Sequence, residues 1–140
     1  MLVDTTVARR EAREFLTSLC PNGFRRKLVY LSGPITCSNY DRTKALTAAL
    51  TAHRDVMRAG YGVLNPMLTA FLPCAFDESF THDDWLAGDL PIVAAVDAVF
   101  RLPGPSKGAD QECGMAKELG IPVVHNLMEL NEVFGGSVHN

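Results

Sequence analysis

A three-layer α/β fold, a parallel sheet of four to five strands with helices on both faces, is predicted by three features of the sequence. Short apolar runs alternate with blocks of helical periodicity, so the order reads α-β-α-β-α-β-α-β-α. The runs are continuous rather than alternating in polarity, as strands buried on both faces require. The chain has 140 residues, of which 47% are hydrophobic and 21% charged, which suits one domain with one sizeable core.

Each element follows in order. Residues 4–19 set Val7, Ala8, Ala12, Phe15, Leu16 and Leu19 at helical spacing, and Pro21-Asn22-Gly23 ends that helix. Residues 1–27 thus form a helical arm before a core at 28–134, and 135–140 is a flexible tail. Leu28-Val29-Tyr30-Leu31 is a buried strand, bounded by Arg25-Arg26-Lys27 and Ser32-Gly33-Pro34. Leu46, Ala49, Leu50, His53, Val56 and Met57 lie on one helix face, and Gly60 stops that helix. Gly62-Val63-Leu64 is the second strand, ended by Asn65-Pro66. Residues 66–82 have no clean period and read as a long loop or lid with partial helix. Residues 83–95 are helical with a break near Gly88, and Pro91 sits in the first turn of a second short helix. Residues 97–102 form the third strand, 103–108 a turn, 109–119 a helix, 121–125 the fourth strand and 127–134 the last helix.

Composition excludes several functions. The net charge of -3 and pI near 5.7 lack the basic excess of a nucleic-acid binder. No apolar run is long enough to span a bilayer, and the first residues do not form a secretory signal. Cys20, Cys37, Cys74 and Cys113 are scattered, without a C-x-x-C pair or an adjoining histidine, which argues against a disulfide scaffold or a zinc site. A reduced, cytoplasmic protein is the expectation.

In a parallel sheet of this kind ligands bind outside the carboxyl ends of the strands. Residues 32–39, the loop after the second strand and residues 103–112 meet there. The small-residue loop ending Ser106-Lys107-Gly108 opens a helix. Its N–H groups and the Ser106 hydroxyl suit an anion, although on spacing alone a plain turn is favoured. Glu112 is either a capping glutamate or an ionised nucleophile. Asp89 is either a helix N-cap or a second carboxyl beside Glu112. Two carboxyls in one cleft push their pKa values apart, as cleavage of a glycosidic bond requires. Asp97 reads as structural, bonding backbone at a strand start. His82, Asp83 and Asp84 read as a solvated helix start, because their adjacency is wrong for metal ligation on a helix. Trp85 stacks on a base or packs in a lid, His53 is a core histidine, and Cys113 has no identifiable base.

Four segments carry a resemblance. They are Val29-Tyr30-Leu31-Ser32-Gly33-Pro34-Ile35 followed by Asp41-Arg42; Gly60-Tyr61-Gly62-Val63-Leu64-Asn65-Pro66; Asp89 ahead of Asp97; and Ser106-Lys107-Gly108 with Glu112-Cys113-Gly114-Met115-Ala116, leading to Leu119-Gly120-Ile121-Pro122-Val123. Over residues 28–125 the chain resembles the nucleoside 2-deoxyribosyltransferase-like superfamily. That group includes the transferases, the nucleoside 5'-monophosphate N-glycosidases and small phage and bacterial domains of unassigned function. The resemblance implies a flavodoxin/Rossmann-like sheet, a homodimer or larger homo-oligomer, and neither metal nor organic cofactor. It implies Glu112 as nucleophile on C1' of the sugar, Asp89 assisting departure of the base, and Tyr30 positioning Glu112. Ser32, Gly33, Arg42, Ser106 and Gly108 would hold the substrate and its phosphate. Ile35, Asn65 and Trp85 would line the base pocket. Asn126 is a candidate for a residue donated by a neighbouring subunit. The Ser106-x-Gly108 pair tilts the expectation towards an N-glycosidase acting on a (deoxy)nucleoside 5'-monophosphate. A base-exchanging transferase and a non-catalytic nucleotide sensor are the alternatives. The small-molecule partner is a nucleoside or nucleotide, with no nucleic acid and no membrane.

Overall fold

The computed structural model describes residues 5–19, 26–34, 42–69, 76 and 79–135. Helix α1 (Thr5–Leu19) precedes strand β1 (Leu28–Ser32), helix α2 (Arg42–Arg58) and strand β2 (Gly62–Leu64). A 3-10 turn (Pro66–Thr69), helix α3 (His82–Val93) and strand β3 (Ala98–Arg101) follow. Helix α4 (Lys107–Glu118), strand β4 (Val123–Val124) and helix α5 (Leu127–Val133) complete the order.

The four strands are all parallel and lie in the order β2-β1-β3-β4. β1 is central: Tyr30 pairs with Leu64 on one side and Val99 on the other, and Ser32 pairs with Arg101. Asp97 ties the starts of β1 and β3 together. Its carboxylate accepts from the Leu28 N–H at 2.7 Å, and its own N–H donates to the Leu28 carbonyl at 2.9 Å.

Alternation along β1 divides the core in two. Val29 and Leu31 join Ala45, Ala49 and Val56 of α2 and Leu130 of α5 on one face. Tyr30 faces the other way, among Val93 of α3, Val99, and Cys113 and Ala116 of α4. This two-residue period puts the one phenol of the strand under α3 and α4. Helix α1 is exposed along almost its whole length, with Phe15 and Leu19 in solvent.

Several boundaries differ from the sequence reading. The expected break near Gly88 does not occur: α3 runs unbroken with Pro91 inside its last turns. Pro91 has no N–H for the Ala87 carbonyl, but Ala87 and Gly88 are exposed, so water can take the freed acceptor. Asp89 therefore lies inside a helix and is not an N-cap. The cap is Thr81, whose hydroxyl accepts from the Asp84 N–H while the Asp84 carboxylate accepts from the Thr81 N–H. α4 starts at Lys107 rather than 109 because Ser106 caps it. β4 is two residues long, shorter than the 121–125 expected, and β3 and α5 are each trimmed at their ends. Of the loop over 66–82, the described parts are the 3-10 turn, Phe76, and the residues entering α3.

Gly33, directly after β1, is a site of close approach. A Cβ there would come within 2.8 Å of the Leu102 Cβ. Gly33→Ala is expected to destabilise the protein by about 1–3 kcal/mol through overpacking. Thermal unfolding measures this. Combined with Leu102→Ala, its cost should shrink, since the two side chains compete for one space.

Candidate active site

The site is built where β1, α3 and α4 meet. β1 supplies Tyr30, fully buried by its position in the central strand. α3 supplies Asp89, half-buried on the side turned towards the sheet. α4 supplies Glu112, buried to 7% exposure on the face that also carries Ala109, Cys113 and Ala116. His82 at the start of α3 bonds Gln111 of α4 through Nε2 at 2.8 Å, which ties the two helices together.

These three side chains act on one another electrostatically. Burial pushes the Glu112 carboxyl up to about 7. The Tyr30 hydroxyl and the Arg101 guanidinium oppose that rise, while the Asp89 charge adds to it. Burial also raises the Asp89 carboxyl, and Tyr30 opposes it. Tyr30 is held far above the ordinary phenol range, first by burial and then by the Glu112 and Asp89 carboxylates. It is therefore a neutral donor at any working pH.

The polar atoms here are not satisfied internally. Glu112 Oε2, the Tyr30 hydroxyl and the Ser32 hydroxyl are buried without a hydrogen-bond partner of good geometry among the described residues. Native interiors leave few such groups, and a cluster of three marks a place built for something other than stability. Ser32 lies on the same strand face as Tyr30, and its hydroxyl lies against the Cys113 thiol. Burial raises that thiol, so it is not a ready nucleophile.

The other sequence candidates fall in different places. The Ser106 hydroxyl accepts from the Ala109 N–H at 3.1 Å, an ordinary N-cap. The Lys107 and Gly108 N–H groups ahead of it find no acceptor among the described residues. Gly108 lies 3.4 Å, as measured from an added Cβ, from the His82 ring. Trp85 packs against Phe80, their ring centroids 5.3 Å apart. Asn65 is buried, accepts from the Met67 N–H at 3.0 Å and lies 3.4 Å from His53 Nδ1. Arg42 opens α2, and its side chain, like all of Ile35, lies outside the described residues. Asn126 caps α5 by accepting from the Glu129 N–H. Among the described residues no group of three or more His, Cys, Asp or Glu side chains could hold a metal ion. No described helix is long and apolar enough to cross a membrane.

Sequence reasoning missed Arg101. Its guanidinium donates to the carbonyls of Leu102 and Gly104 and to Asp110 of α4, the last two at 3.0 and 3.1 Å. The available signal was a single cation at the end of an otherwise apolar strand. A buried cation must find partners.

Glu112 binds a proton in the folded state at pH values where the unfolded chain has lost it, because its pKa rises from 4.5 to about 7. Its ionisation opposes folding. That penalty is absent in acid, grows through this window and is complete above about pH 7. Glu112→Gln is expected to match the wild type near pH 4.5 and to exceed its stability at pH 8 by up to about 3 kcal/mol. Denaturant titrations at the two pH values check this. An unchanged pH dependence would refute it.

Comparison with known proteins supports the architecture. A 2-deoxyribosyltransferase from the psychrotolerant bacterium Bacillus psychrosaccharolyticus has a similar structure, with a TM-score of 0.53 and 24% identity over 72% of this chain and 78% of that one. The fold is therefore that of the nucleoside 2-deoxyribosyltransferases, a parallel sheet between layers of helices. No curated protein matches the sequence. The family described as a domain of unknown function, DUF4406, matches residues 27–125, from the start of β1 past the end of β4, and the chain belongs to that family.

Proposed function

We propose that the protein is an N-glycosidase that cleaves a (deoxy)nucleoside 5'-monophosphate through a covalent glycosyl-Glu112 intermediate. The observation that carries this reading is the convergence of Glu112, Asp89 and Tyr30, with a Glu112 oxygen buried and unpartnered.

The chemistry follows from that geometry. As the bond from C1' to the base nitrogen lengthens, positive charge builds on the sugar. The Glu112 carboxylate forms a bond to C1', and the electron pair of the breaking bond stays on the base nitrogen. Asp89 gives a proton to the departing base, which makes it a better leaving group. Water then adds to C1', one of its protons returns to Asp89, and the Glu112–C1' bond breaks. The products are free base and (deoxy)ribose 5-phosphate, with the configuration at C1' retained after two displacements. Tyr30, always protonated, orients Glu112 without competing for its proton. The Lys107 and Gly108 N–H groups, open at the start of α4, are donors for a phosphate.

The two carboxyls titrate as a unit. The productive state carries one proton, with Glu112 ionised and Asp89 protonated. Burial holds a proton on Glu112 up to about pH 7, so this state is reached as the pH rises through that value. Transfer to a second base is the alternative outcome of the same intermediate, and the structural likeness to a deoxyribosyltransferase favours keeping it in view.

Incubation with a panel of nucleosides and their 5'-monophosphates, scored by chromatography for free base, tests the reading. The monophosphates are expected to react and an added acceptor base to give no new nucleoside. Glu112→Gln should lower base release by on the order of 10³-fold or more, and Asp89→Asn by roughly 10²–10⁴-fold. In the wild type kcat/KM should rise as the pH increases through about 7 and Glu112 loses its proton. Ligand bound and recovered intact by all variants would sink the assignment.

A further inference from the structure

We propose that Arg101 is the positioning residue for Glu112, a largely buried strap that fixes the first turn of α4 to the end of β3 and, through Asp110, the rotation of the helix that carries the carboxylate. The proposal rests on the placement of Glu112 in the candidate site, and its primary readout needs no substrate.

Arg101 is the last residue of β3 and pairs in register with Ser32, so its backbone lies beside the orphaned Ser32 hydroxyl of β1. Its side chain is only 13% exposed. From there the guanidinium reaches three acceptors, on the next residue, in the turn and on the helix that follows. One amino group meets the Leu102 carbonyl and the other is shared between the Gly104 carbonyl at 3.0 Å and Asp110 at 3.1 Å. The turn itself is sharp, with Gly104 at φ 109°, a conformation that side-chained residues rarely adopt. One rigid fork thus holds the strand end, the turn and the first turn of the helix in one arrangement.

The consequence falls on Glu112. Asp110 and Glu112 are two residues apart on α4 and project to different sides. Asp110 is 74% exposed and Glu112 is buried. Pinning Asp110 to Arg101 fixes the rotation of the helix about its axis, and with it the direction of Glu112. An exposed ion pair alone contributes little stability. The two carbonyl acceptors and the burial of the guanidinium give the contact its rigidity.

The groups facing Glu112 come from every element packed on it. Tyr30 faces it from β1, Asp89 from α3 and Arg101 from β3, with Cys113 beside it on α4. Among these Arg101 is the only cation, and it opposes the rise that burial imposes. Without it the carboxyl loses the one charge that favours ionisation.

Carbon-13 labelling of the glutamate carboxyls, followed by NMR titration, reads the Glu112 midpoint directly once Glu112→Gln has assigned its signal. Arg101→Met is expected to raise that midpoint and lower the ionised-to-protonated ratio at pH 6 roughly three- to tenfold, about half to one pH unit. Arg101→Lys keeps the charge but loses the fork. It should hold the midpoint near the wild-type value while amide exchange at Ser106 to Asp110 becomes faster. An unmoved midpoint in a folded Arg101→Met variant overturns the proposal, because a purely structural tie would leave the titration alone. Should Arg101→Met fail to fold, Arg101→Lys decides: faster exchange with the midpoint retained supports the strap, and unchanged exchange overturns it. If the midpoint moves yet base release is absent from all forms, the strap stands and the glycosidase reading fails.

Discussion

The constraint on which the rest depends is the burial of one carboxyl. Glu112 sits on the sheet-facing side of α4 with an oxygen that none of the described residues satisfies. Isolated burial of such a group costs several kcal/mol unless it is neutralised or paired. The fold compensates in part. A neutral phenol lies below it, a guanidinium is near, and the carboxyl keeps its proton up to about pH 7. The remaining deficit has no structural use. It fits a group kept in reserve for charge that develops on something else, which is how stability is exchanged for reactivity at working sites.

Much of this was legible in the sequence. Continuous apolar runs at Leu28-Val29-Tyr30-Leu31 and Ala98-Val99-Phe100 made the parallel sheet readable, because strands covered on both faces have no polar side to show. Strand parity was readable too: Tyr30 must face opposite to Val29 and Leu31, and that places it with α3 and α4. Asp97 was rightly read as a backbone tie at a strand start. The misjudged segment was the middle of α3. Glycine and proline in one helix suggested two helices, yet a proline costs little where the freed carbonyl faces water. That error would have made Asp89 a cap, whereas its place inside a continuous helix turns it into the cleft.

Other features were hidden for a physical reason. The acceptors of Arg101 are two main-chain carbonyls and an aspartate nine residues on, and carbonyls have no sequence signature. Ser106 caps α4 by accepting from the Ala109 N–H, and its own O–H remains free to donate. A hydroxyl that caps a helix leaves the main-chain donors before it open. On the proposed reading a phosphate would meet the Lys107 and Gly108 N–H groups together with that hydroxyl.

The fold alone does not choose between water and a second base as acceptor, because function belongs to sites rather than architectures. The distinction comes down to the second displacement. On the proposed mechanism both outcomes need Glu112 as a leaving group from C1', so its surroundings serve each equally. Only an acceptor base needs a place to be held after the first base departs. Trp85 is turned against Phe80, and Asn65 is bonded to Met67 and set close to His53, so both already have partners inside the chain. Water needs no such platform. On the proposed mechanism, which of the two reaches C1' is set by what fills the base site once the first base has left.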